Sequence, residues 1–101
     1  MGEARPLNLH YTPKALAELA DILAYIAERS PQGARNVHAR IQAITALLVQ
    51  HPHSGQLTSE SGLRRIVTLP YPYLIFYEVT AEEVVVIGVR HAAREPERSR
   101  G

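Results

Sequence analysis

The chain has 101 residues, 46% of them hydrophobic, with 11 basic residues against 10 acidic ones and a net charge of +1. Its length is that of one domain, and such a chain buries roughly two-thirds of its unfolded surface, enough for an ordinary core. The lack of cysteine excludes disulfides, thiolate nucleophiles and cysteine-ligated zinc, and the isoelectric point of about 8.2 falls short of the ~9 expected of a dedicated nucleic-acid binder.

Residues 1–6 hold no apolar run of the kind a signal peptide needs, and Pro6 stands where a myristoylation motif requires Ser or Thr. Leu7 to Tyr11 (L-N-L-H-Y) alternates apolar and polar, which predicts a short strand. Thr12-Pro13 supplies a helix cap followed by proline at the first helical position, where its missing N–H is no loss. Ser30-Pro31 repeats the signal. The expectation is two helices over about 13–29 and 31–50, the second ending before Pro52. Their apolar stripes are Leu16, Leu19, Leu23 and Ile26, then Ala34, Val37, Ile41, Ile44 and Leu48, each spaced to cover one helical face. With almost no loop between them, the helices pack as an antiparallel hairpin that covers the sheet.

His51 to Ser61 is rich in breakers and reads as loop. Strands are predicted over about 63–69, 73–79 and 84–91. Pro70-Tyr71-Pro72 forms the first turn, where Tyr71-Pro72 has the option of a cis bond, and residues 80–83 form the second. The sum is β-α-α-β-β-β: an α+β fold with a helical hairpin on a small, mainly antiparallel sheet. A single domain spans 1–101, with 1–6 and 95–101 frayed. No apolar run approaches the ~20 residues that cross a membrane, so the expected location is the cytoplasm.

Six segments in this order resemble toxins of the RelE/ParE superfamily, from bacterial type II toxin–antitoxin systems. They are Y-T-P-K-A-L-A-E-L at 11–19, Y-I-A-E-R-S-P at 25–31, H-P-H-S-G at 51–55, G-L-R-R-I-V at 62–67, Y-P-Y-L-I-F-Y-E-V at 71–79 and V-R-H-A-A-R at 89–94. The resemblance covers most of the chain and implies a toxin neutralised by a cognate antitoxin. RelE-like members cleave messenger RNA in the ribosome; ParE-like members inhibit DNA gyrase. The RNA-cleaving members carry an arginine at the start of the third strand, where this chain has Tyr73-Leu74-Ile75. The nearer match is therefore the ParE-like, plasmid-stabilisation type. A ribosome-dependent endoribonuclease and an inactive relative kept as a binding module are the alternatives.

Metal-independent RNA cleavage needs a base, an acid and cations around the charged phosphorane. Arg65, Arg90, His91 and Tyr73 are the residues that could serve, with Tyr77 as a second proton donor and Glu60 in the preceding loop. If the toxin instead binds a protein, Arg64, Arg65, Arg90 and Arg94 are the expected contacts, since arginine's fork suits carboxylates and phosphates. The arginine bias, ten arginines to one lysine, has a bland source too, in genomic base composition. Neighbours on a strand point to opposite faces, so one of Arg64 and Arg65, and one of Arg90 and His91, is expected to be structural, with Glu78 a suggested partner. His51-Pro52-His53 lacks a third ligand, so no metal or cofactor is expected. Lys14, Glu18, Asp21 and Glu28 read as an ordinary solvated helix face, with Tyr25 exposed among them. Ala39, Ala43 and Ala46, flanked by Leu47, form a smooth face on the second helix. Together with Tyr25, that face suits an antitoxin helix or, in a homodimer, a second copy; for the alanines, high helix propensity is the bland explanation.

Overall fold

The computed structural model describes residues 5–95. The chain runs β1 (Asn8–Tyr11), α1 (Pro13–Arg29), α2 (Pro31–Gln50), β2 (Gln56–Leu57), β3 (Arg64–Val67), β4 (Tyr73–Val79) and β5 (Glu83–His91), with single 3₁₀ turns at Pro52–Ser54 and Ala92–Arg94. The five strands form one sheet in the order β1-β5-β4-β3-β2. Every pairing is antiparallel except β1 with β5, which the hairpin crossover makes parallel.

Both helix starts form as expected. The Thr12 hydroxyl accepts from the Ala15 N–H at 3.1 Å and the Ser30 hydroxyl from the Gly33 N–H at 2.9 Å. Ser30 also closes α1, its own N–H donating to the Ile26 carbonyl, so one residue turns the chain from one helix into the next. The α2 stripe is core as predicted, with Val37, Ile41, Ile44 and Leu48 buried. The α1 stripe keeps three of its four expected members: Leu19 is buried, and the half-buried Leu23 and Ile26 pack against the core. Leu16 is the exception, 53% exposed, while its neighbour Ala15 is fully buried and Ile22 adds to the packed face.

The helices cover one face of the sheet, meeting Ile75 and Tyr77 of β4 and Val84, Val86 and Val89 of β5. The last of these breaks strict alternation. Phe76 pairs with Gly88 but Tyr77 pairs with Val86, so Ile87 is an extra residue, a β-bulge. The bulge puts Val89 under the helices and turns Gly88 and Arg90 to the open face.

Three further expectations are corrected. The predicted loop 51–61 contains the 3₁₀ turn and β2, two residues that pair with Arg64 and Arg65 and so escape periodicity. The cis bond is Leu69–Pro70, not Tyr71-Pro72. Glu18 is not on a solvated face: its side chain is 25% exposed and accepts from the Val89 N–H at 3.0 Å. β1 pairs with β5 only as far as Val86, and the Glu18 carboxylate caps a β5 amide beyond it. Of the termini expected to fray, 1–6 and 95–101, residues 1–4 and 96–101 lie outside the described residues. Among the described residues no helix is long and apolar enough to cross a membrane.

Candidate functional site

Strand register decides which basic residues meet. Arg65 lies opposite Phe76, and Arg90 opposite Leu74. Leu74 and Phe76 point away from the helical hairpin, so both arginines stand on the open face of the sheet. The two apolar side chains are each only 8% exposed although no helix covers them. Part of their cover is the Arg90 guanidinium, 5.1 Å from the centroid of the Phe76 ring. Gly88 makes room for it: a Cβ there would stand 3.2 Å from Arg90 Nη2 and 3.3 Å from Glu18 Oε1.

Arg90 is held between two carboxylates, with Nε 3.6 Å from Glu18 and Nη1 3.5 Å from Glu95. Glu78 is not its partner; that residue sits beside Val85 at the other end of the sheet. Arg65 makes no ion pair or side-chain hydrogen bond among the described residues. It lines a groove of about 460 Å³ on the open face, floored by Val67 and Leu74 and walled by Ala92 and Glu95.

Arg64 points to the opposite face, and its guanidinium donates to the Gly55 carbonyl at 2.8 Å and the His53 carbonyl at 3.4 Å. It is a fastener of the 51–57 segment. Beside it, the Tyr77 hydroxyl donates to the Pro52 carbonyl at 2.8 Å and accepts from the Gly55 N–H at 2.9 Å. Burial pushes the Tyr77 phenol above its ordinary value, offset in part by the Gly55 hydrogen bond and the Arg64 charge. A Cβ on Gly55 would fall 2.6 Å from the Tyr77 oxygen and 2.7 Å from the Arg65 carbonyl, so this approach requires glycine. Tyr77 is therefore structural, and this anchoring role escaped the sequence reading: an apolar strand gives no sign that one phenol will reach a loop 25 residues earlier.

His91 and Tyr73 pair across β5 and β4 on the hairpin side, rings edge to face with centroids 5.3 Å apart. His91 Nδ1 accepts from the Ala93 N–H at 3.0 Å, which orients the ring. Both line a second groove, of about 820 Å³, with Tyr25, Arg90 and Arg94. Three carboxylates, Glu18, Asp21 and Glu95, line it as well. The two rings thus meet amid negative charge that opposes a polyanion. Glu60 is exposed in the turn before β3, and among the described residues no cluster of His, Asp and Glu suits a metal.

Tyr25 is 59% exposed, with the Arg29 guanidinium 4.0 Å over its ring. Ala39 and Ala43 are exposed in a separate shallow depression shared with Leu69, Pro70 and Tyr71. Arg40 ties α2 to that turn, its Nε donating to the Leu69 carbonyl at 2.7 Å. Ala46 and Leu47 are exposed as well. The predicted partner surface is therefore two surfaces: Tyr25 belongs with the arginine end of β5, and the alanines with the β3–β4 turn.

A family model described as the ParE toxin of the type II toxin–antitoxin system, parDE, matches residues 9–96. The Toxin RelE2 of Caulobacter vibrioides is 37% identical over 84 residues, 83% of this chain and 93% of that protein. Among solved structures, a chain of the chromosomal ParDE system from P. aeruginosa superposes with a TM-score of 0.74 at 21% identity, covering 87% of this chain and 98% of its own. A chain of the E. coli DinJ-YafQ toxin–antitoxin complex gives 0.57 at 12% identity, covering 89% and 97%. The two structures speak for the fold alone.

Proposed function

The chain belongs to the ParE toxin family of type II toxin–antitoxin systems, and from that premise we propose that it inhibits growth by binding a protein target, with DNA gyrase the foremost candidate. The observation that carries this reading is the pair Arg65 and Arg90, presented by rigid strands on the one sheet face that the helices leave open. Arg94 extends the basic surface at the end of β5. Arg64, tied to the loop carbonyls, is left out of it. A near-neutral chain suits a protein target better than a bare nucleic acid. The protein acts in the cytoplasm and is neutralised by a cognate antitoxin. We place the antitoxin's docking on the exposed face of α2 at Ala39, Ala43, Ala46 and Leu47, or at Tyr25.

The endoribonuclease reading draws on one feature, the Tyr73–His91 contact beside Arg94. The carboxylates around it, and the absence of a cation at the start of β4, weigh against it.

Controlled expression of Arg90→Ala and Arg94→Ala variants tests the binding reading. An arginine at an interface is worth about 2 kcal/mol or more, roughly thirtyfold in affinity. Growth inhibition should fall sharply. Arg94→Ala should leave the melting temperature nearly unchanged, while Arg90→Ala should lower it modestly because Phe76 loses its cover. Lysine should restore inhibition only in part, lacking the planar fork. Inhibition of gyrase supercoiling by the purified chain, without messenger RNA cleavage, is the expected biochemical result. Full toxicity in the folded double variant would remove the arginines from the active surface.

A further inference from the structure

We propose that the groove on the open face of the sheet is a carboxylate-binding site for an acidic segment of a partner protein, and that Glu95 is its internal stand-in. The proposal rests on reading that face as the target-binding face and names the chemistry it selects.

Three observations converge. Arg65 is half-buried, lines the groove, and is unpaired among the described residues. A partly exposed guanidinium that no other side chain engages is free to pair with an incoming anion. Glu95 already brings an anion to this groove, held 3.5 Å from Arg90 Nη1 by the 3₁₀ turn that carries it. The floor between them is apolar, made by Val67 and Leu74.

An incoming carboxylate would bind Arg65, set a neighbouring apolar side chain on Leu74 and Val67, and compete with Glu95 for Arg90. Glu18 would remain on Arg90 and keep its guanidinium over Phe76. No aromatic side chain lines this groove, so it offers no platform for stacking a base. A protein carboxylate fits the site better than a nucleic-acid phosphate.

The Arg90–Glu95 pair is partly open to water, with side chains 35% and 22% exposed. Releasing Arg90 from such a pair is worth at most about fivefold in binding. The probe is the acetylated, amidated tripeptide leucyl-glutamyl-leucine, with its glutaminyl counterpart as the uncharged control. It is titrated into the ¹⁵N-labelled full chain while the Nε–Hε signals of Arg65 and Arg90 are followed. The glutamyl peptide should move both signals and the control neither. Glu95→Gln should tighten binding about two- to fivefold, and Arg65→Gln should weaken it about tenfold. Amide spectra report whether each variant keeps the fold, and both positions are at the surface.

Unchanged or weaker binding by Glu95→Gln would overturn the stand-in role. Shifts that leave Arg65 unmoved would overturn the site. Inorganic phosphate binding as tightly as the glutamyl peptide would overturn the assignment to a protein carboxylate. Growth assays of the same variants separate this proposal from the functional reading. If toxicity depends on Arg65 and Arg90 but peptide binding ignores Glu95, the functional reading stands and this inference fails. If the peptide behaves as expected while both arginine variants remain toxic, the site stands and the functional reading fails.

Discussion

Removing one oxygen from Tyr77 should destabilise the protein out of proportion to its size. The Tyr77 side chain is fully buried, and its hydroxyl satisfies two backbone groups of the 51–57 segment, the Gly55 N–H and the Pro52 carbonyl. Tyr77→Phe leaves the ring's packing intact and both groups unpaired. A buried donor without a partner costs about 1–3 kcal/mol, and the loss of the second bond adds about 1 kcal/mol. The expected loss is about 2–4 kcal/mol, a large share of the ~5–15 kcal/mol that holds a small domain folded. Urea unfolding should show it as a midpoint lowered by roughly 1–3 M. Hydrogen exchange at Gly55 should accelerate more than at Ile75 or Val86 in the core, because the segment is released first.

The same hydroxyl gives a pH signature. Burial raises the Tyr77 phenol above 10.0 in the folded state. Above that pH the folded chain holds a proton that the unfolded chain has lost, so stability falls with rising pH. The contribution is complete below pH 10 and disappears as pH climbs through the folded value. Tyr11 is raised in the same direction, by burial partly offset by the Thr45 hydroxyl. Tyr77→Phe should therefore shrink the alkaline loss of stability without abolishing it. A midpoint shift under about 0.5 M with an unchanged alkaline slope would refute the reasoning, meaning that water replaces the hydroxyl at no net cost.

The outward position of Leu16 can be checked against a core site on α2: Ile41→Ala, fully buried, should cost about 2–5 kcal/mol, and Leu16→Ala less than about 0.5 kcal/mol. Comparable losses at both sites would place Leu16 in the core. On α2, Ala43→Glu should weaken antitoxin binding while melting temperature holds, since docking would bury a charge without a partner. Calorimetric titration with the antitoxin reports it, and unchanged affinity would move the docking surface off α2.

Much of this protein is legible in its sequence because the signals are local. A capping hydroxyl followed by proline marks a helix start whatever the rest of the chain does. Thr12-Pro13 and Ser30-Pro31 accordingly place both starts, and apolar runs between turn residues place β3, β4 and β5 to within a residue or two. The order of elements, and the family that order resembles, follow from the same signals. The two-residue β2 carries no such signal, existing only because β3 lies beside it. The site is likewise a matter of register. Alternation separates Arg64 from Arg65 and Arg90 from His91, but it leaves open which of each pair shares a face. Counted strictly from Val84, it would carry Gly88 and Arg90 under the helices. The extra residue at Ile87 reverses that, sending Val89 into the core and Arg90 outward beside Arg65. The physical reason lies across the sheet. Gly88 leaves space on the open face that a side chain would take, and the Arg90 guanidinium occupies it, over Phe76 and between Glu18 and Glu95. That arrangement draws on α1, β4, β5 and the turn after β5 at once, so only the folded chain decides it.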